Sequence, residues 1–295
     1  VVEGEYILFI SNDVLITPGA VPNMLACIKS DPNIGCVVPT CPHVSCYQHI
    51  PAAYKNLDEM IAFARQNNQP DPYRREQRAR LVPPMVLTRS EWEYFYAFAG
   101  YRYPFFPQRF LAFSDDLMSM LVRRSGRKNI LAKDAYVFHF GSVTMREDAG
   151  GQLLTQGRIA FLHAFGTDPW GKGFCFDPVL MEALPFEATM PVNILGVNCG
   201  MGSNPLKIKE LLKEKAHNLQ VTLYNATQEE QYWPDLEQLS HQIVLITDGA
   251  KLSSAFSPTV FQYIIVDHCV LEPEILERTA AHLFTRLEKG GVLAI

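Results

Sequence analysis

Residues 5–10, Glu-Tyr-Ile-Leu-Phe-Ile, form an almost unbroken apolar run that ends abruptly in Ser11-Asn12-Asp13. A run without polar alternation is the pattern of a strand covered on both faces, which requires helices packed on a sheet. Pro18 and Gly19 open a helix predicted over residues 19–30, with Val21, Leu25 and Ile28 on one face. Asp31-Pro32-Asn33 stops it, and residues 34–39 return as a strand. Strand, acid, helix and strand in this order give the alternation of an α/β fold.

The same alternation restarts later. Residues 41–80 are polar, irregular and partly helical by pattern, residues 85–87 read as a short strand, and Ser90 caps a helix predicted through Phe98. An aromatic-dense run, 94–113, precedes a helix over 115–125 that Gly126 stops, then strands at 129–132 and 135–139. Residues 146–191 shift to Gly, Pro and isolated aromatics, with a helix at 151–164. From Val192 the predicted order is strand 192–197, helix 204–215, strand 219–224, helix 234–240, strands 242–246 and 261–267, helix 273–288 and strand 291–295. Two domains are therefore expected, 1–170 and 191–295, joined by a linker at 171–190. The chain opens in a strand pattern at Val1 and stops on an apolar run at Ile295, so both domains are expected to be incomplete, the first at its start and the second at its end.

Composition narrows the function classes. Of 295 residues, 48% are hydrophobic and 19% charged, a globular balance, and a net charge of −5 gives no reason to expect nucleic acid as a partner. The basic group Arg74, Arg75, Arg78 and Arg80, interrupted by Glu76, reads as a solvated face or loop, or as a holder of an anionic ligand. No apolar run reaches the ~20 residues of a bilayer span. Seven cysteines at irregular spacing argue for free thiols in a reducing compartment, so the expected location is cytoplasmic. Cys36, Cys41 and Cys46, with His43 and His49, lack the short spacing of a zinc site.

Three places carry candidate chemistry. Asp13 follows a buried strand, where open α/β sheets place ligands, and one carboxylate there can hold Mg²⁺ or Mn²⁺. It reads equally as a turn or cap residue. Asp115 and Asp116 follow Phe113-Ser114 at a predicted helix start, where the dipole favours an ionised carboxylate fit for general-base work, or a simple cap. His139 ends a strand before Phe140-Gly141-Ser142 and is either a core histidine or a metal or diphosphate ligand.

In order, "GEYILFISNDVLITPGAV", "IGCVVP" and "FSDDLMSMLVRRSGRKNILAKDAYVFHFGSVT" resemble the family 2 glycosyltransferases of the GT-A fold. The resemblance implies an inverting, metal-dependent transfer of a sugar from a nucleotide-diphosphate sugar to a glycan or glycoprotein acceptor, in synthesis of a surface polysaccharide or glycosylated surface protein. Asp13 would be a metal ligand, Asp115 the general base with Asp116 its rival, and His139 a ligand of the metal or diphosphate. The family's first strands, which hold the nucleotide, would lie before Val1.

The second half resembles class I S-adenosylmethionine-dependent methyltransferases through "ILGVNCGMGS", "FQYIIVDHCVLEPE" and "LEKGGVLAI". The resemblance implies a Rossmann-like fold with Asn198, Gly200 and Gly202 at the cofactor turn, Asn225 at the ribose position, Asp248 near the adenine, and Asp267 or His268 near the methyl group. It departs at Gly196, Asn198 and Asn225, where the family's acids and first glycine are missing. A glycosyltransferase is thus one expectation. A non-catalytic scaffold built from both folds is another, and a methyltransferase active through the second half alone is a third.

Overall fold

A computed structural model describes residues 4–90, 113–141, 151–186, 191–246, 252, 254–267 and 280–295. The predicted helix after Ser90, most of the aromatic-dense run, Asp248, His268 and the start of the predicted helix at 273–288 lie outside the described residues. The chain divides into two compact units, Val1–Pro169 and Trp170–Ile295. Both are α/β, as expected.

In chain order the first unit contains β1 (Tyr6–Ile10), β2 (Val14–Leu15), α1 (Ala20–Ser30), β3 (Ile34–Thr40), α2 (Leu57–Asn67), β4 (Arg75–Arg78), β5 (Met85–Arg89), α3 (Ser114–Arg124), β6 (Lys128–Tyr136), β7 (Phe138–His139) and α4 (Gln152–Phe165). Its main sheet has the order β1-β5-β3-β6-β4. β5 runs antiparallel to both β1 and β3, while β3 and β6 are parallel, so β1, β3 and β6 all point the same way. The segment expected as two strands, 129–132 and 135–139, is one long strand followed, after Val137, by a two-residue one.

Helix α1 lies on this sheet because Ala20, Met24, Cys27 and Ile28 repeat at helical spacing, and all four are fully buried with Ile34, Val37, Met85 and Ile130. Asp31 ends the helix. Its carboxylate accepts the Asn33 N–H at 2.8 Å and the Lys128 ammonium at 2.7 Å, turning the chain into β3. On another apolar surface, Met118 and Val122 of α3 pack with Cys36, Val38 and Leu131.

Where α2 ends, Asn68 organises a buried polar centre. Its side-chain oxygen accepts the Tyr136 N–H at 2.7 Å, and its amide donates to Thr17 Oγ1 at 3.0 Å and the Pro18 carbonyl at 2.8 Å. Thr17 donates to the Tyr136 carbonyl, and Asn23 donates to the carbonyls of Asn68 and Asp134. The segment after β2, the start of α1, the end of α2 and the end of β6 are thereby held in one arrangement.

The arginine cluster is not a solvated face. Arg78 and Arg80 are each 8% exposed, Arg78 pairs with Glu76 at 2.6 Å, and Arg80 with Asp116. Burial follows because β4 pairs with β6 and the chain after it turns onto α3. Cys27, Cys36, Cys41 and Cys199 are free and buried, whereas Cys46 and Cys175 are disulfide-bonded, which corrects the expectation of free thiols at those two positions.

The second unit contains α5 (Pro178–Ala183), β8 (Val192–Val197), α6 (Ser203–Lys215), β9 (Val221–Thr227), α7 (Trp233–Glu237), β10 (Gln242–Leu245), β11 (Phe261–Val266) and β12 (Leu287–Ala294). Its sheet is parallel throughout, in the order β10-β9-β8-β11-β12. Counted from β8 this is 3-2-1-4-5, so the winding direction reverses at β8. Tyr224, Phe256 and Phe261 pack edge to face in its core. Residues 171–186 fall in this unit and carry a helix capped by Asp177. β9 extends to Thr227, past the expected end at 224, and β12 begins at Leu287, so the helix before it ends earlier than residue 288. Among the described residues no helix is long and apolar enough to cross a membrane.

Asn68→Ala leaves the Tyr136 N–H, Thr17 and two carbonyls short of partners in a buried site, at a cost of about 2–4 kcal/mol. Urea denaturation should show that loss, while Gln69→Ala on the neighbouring exposed residue should cost less than about 0.5 kcal/mol.

Candidate active site

β1, β3 and β6 end on one edge of the first sheet, and Asp13 lies just past the end of β1. The ribbon of β2 and β7 pairs Val14 with His139 and Leu15 with Phe138, and the Phe140 N–H donates to the Asp13 carbonyl at 3.0 Å. This brings Asp13 Oδ2 to 3.2 Å from His139 Nε2, with both side chains partly exposed. His139 Nδ1 is buried without a hydrogen-bond partner among the described residues. The two residues proposed from sequence as metal ligands are thus neighbours.

Their spacing fits a shared divalent ion. Bonds of about 2.1 Å at right angles put two ligand atoms about 3 Å apart. Among the described residues no third His, Cys, Asp or Glu completes the group. An ion held by this pair would take its other ligands from phosphate oxygens and water, as Mg²⁺ commonly does.

Asp115 and Asp116 occupy the first turn of α3. The helix is tied to residues 79–81: Arg123 donates to the Ala79 carbonyl, and Ser119 bonds both the N–H and the carbonyl of Leu81. From there the chain reaches Pro84, whose carbonyl accepts the Ser11 N–H at 2.8 Å beside the end of β1. Because α3 runs opposite to this segment, its amino end points toward the sheet edge that carries Asp13 and His139.

The two acids have different surroundings. Asp116 is 6% exposed and accepts two hydrogen bonds from Arg80, at 2.5 and 3.2 Å. That fork-to-fork pair leaves it ionised and fixed. Asp115 is partly exposed. Desolvation, followed by repulsion from the Asp116 charge, pushes its carboxyl up to about 7, against the opposing pull of Arg80 and a hydrogen bond with Ser114. A carboxyl poised near neutrality can accept a proton from a hydroxyl. The sequence favoured Asp115 as the base through its family resemblance alone, with Asp116 as its rival. Arg80 separates them, and its role was hidden because it read as one of four basic residues in a polar stretch.

In the second unit Asn198, Gly200 and Gly202 form the turn between β8 and α6. Asn198 holds a left-handed conformation with φ 55°, which asparagine tolerates better than most residues. Its side chain exchanges two hydrogen bonds with Gln228, at 3.0 and 2.9 Å, joining the ends of the first two strands. Asn225 does not stand at a strand end. It lies inside β9, 1% exposed, with its amide on Ser240 at 2.9 Å, because β9 is longer than its pattern indicated. Glu229 is the acid that follows β9. Glu229 pairs with Lys172 at 3.0 Å. Asp267, at the end of β11, accepts the Asn204 amide at 2.6 Å.

The raised Asp115 carboxyl destabilises the fold when ionised. Its folded-state value near 7 exceeds the unfolded value near 4, so the folded chain binds the extra proton between these limits and stability falls as pH rises through them. Asp115→Asn should match wild type at pH 4 and exceed it at pH 8 by on the order of 1–3 kcal/mol in thermal or urea unfolding. Equal stability at both pH values would contradict the assignment.

No protein-family model and no curated protein matches the chain.

Proposed function

We propose that the chain acts as a metal-dependent, inverting glycosyltransferase that moves a sugar from a nucleotide-diphosphate sugar to a hydroxyl of a glycan or glycoprotein. The carrying observation is the Asp13–His139 pair, built by the β2–β7 ribbon from opposite ends of the first unit. In this reading the first unit is a domain of the GT-A type. Asp13 and His139 would hold Mg²⁺ or Mn²⁺, which neutralises charge on the departing diphosphate when bound. Asp115, ionised above about pH 7, takes the acceptor proton as the hydroxyl attacks the anomeric carbon from the face opposite the leaving group. Asp116 and Arg80 position that turn of α3.

For the second unit, the all-parallel order and the turn at the point of reversal support a Rossmann-like, methyltransferase-type reading. One observation favours a binding or scaffold role over S-adenosylmethionine turnover: Lys172 and Gly173 pack directly on the turn where the cofactor would lie.

Incubation of the full protein with Mn²⁺, an acceptor panel and nucleotide sugars should release nucleoside diphosphate. Asp115→Asn should lower kcat by roughly 10²–10⁴-fold, and wild-type kcat should rise with pH through about 7. Asp13→Asn and His139→Ala should each raise the Mn²⁺ concentration needed for half-maximal rate at least about ten-fold. Full activity of Asp115→Asn would remove the base assignment. Metal dependence unchanged in both ligand variants would remove the metal site.

A further inference from the structure

In the second unit the end of β8 lies between β9 and β11, where a doubly wound sheet opens a crevice for a ligand. A short turn of the chain, residues 171–174, occupies it. The Lys172 carbonyl accepts the Met201 N–H at 3.0 Å, and the turn closes with the Phe174 N–H on the Gly171 carbonyl at 3.4 Å. The approach is as close as two backbones allow. A Cβ on Gly200 would collide with the Lys172 carbonyl, and one on Gly173 with the Cys199 carbonyl. Glycine is required on both sides of this contact, and both have positive φ.

Two further ties hold the turn. Phe174 packs against Met201, Tyr232 and Leu236, and the Lys172 ammonium reaches Glu229. The groups it engages are those a nucleoside ligand would use: a backbone N–H at the head of α6, and a carboxylate at the end of β9 suited to ribose hydroxyls. Lys172 satisfies both, one through its carbonyl and the other through its ammonium.

We infer that residues 171–174 form a self-inhibitory strap over a nucleoside-cofactor seat, and that a ribose-bearing ligand binds only when the strap lifts. The inference rests on the Rossmann-like reading of the second unit. With the seat covered, apparent affinity falls by the fraction of molecules in which it is open.

The test uses the whole chain, S-adenosylmethionine as probe, calorimetry, and hydrogen exchange resolved at Met201. In Gly173→Ala, and independently in Lys172→Ala, exchange at the Met201 amide should accelerate while Ile194 and Leu195 in β8 stay protected. Binding should tighten at least about ten-fold over wild type, and adding Glu229→Gln to Lys172→Ala should abolish the gain. If Met201 stays protected in both variants, the strap does not lift and the inference fails. If Met201 opens but no S-adenosylmethionine binds, the seat itself is wrong, and the cofactor reading of this unit falls with it. Wild-type affinity equal to that of the variants would show that the turn inhibits nothing.

Discussion

The first unit depends on one buried amide. Asn68 bonds the chain just after β2 and the chain just before β7, and those two strands form the ribbon that carries Asp13 to His139. A ribbon of two residues per strand has too little pairing to stand alone in water. Its register is set from outside, by an amide whose hydrogen bonds are satisfied in only one placement of its neighbours. Polar groups that are costly to bury are well suited to this, because any other placement leaves them unpaired.

The acidic pair at the head of α3 shows the same logic with charge. Two adjacent carboxylates in similar backbone settings would share one fate if their neighbours were alike. Arg80 makes them unlike, holding Asp116 as an ion and leaving Asp115 beside a fixed negative charge. Burial raises the proton affinity of the outer acid most, and the charge of the inner one adds to it. Arg123 and Ser119 matter for the same reason, since they keep the helix start where Arg80 can reach it.

Much of this was legible in the sequence. The strand at 5–10, the helix at 19–30 and the alternation after Val192 follow from periodicity, which depends only on neighbouring residues. The helix face, however, was read as Val21, Leu25 and Ile28, whereas Ala20, Met24, Cys27 and Ile28 are the residues fully buried. Asp13 and His139 were legible as residues but not as neighbours, because their pairing rests on β2 and β7, too short to show a period. Arg80 and Glu229 were missed for different reasons. The first looks like surface charge until α3 folds over it, and the second became visible only when β9 ran on to Thr227. Gly171 and Gly173 mark a turn without saying what that turn packs against.

The close approach of Lys172 and Gly173 to residues 199–201 has a consequence for how this protein can change. Neither Gly173 nor Gly200 can gain a side chain while the other backbone stays in place. The two are therefore coupled in evolution, although far apart in sequence. A side chain at either is blocked until the turn has moved, and the positive φ of each adds a second demand for glycine. A lineage that lost this contact would be expected to change both sites together, so that two distant glycines record whether these two backbones still touch.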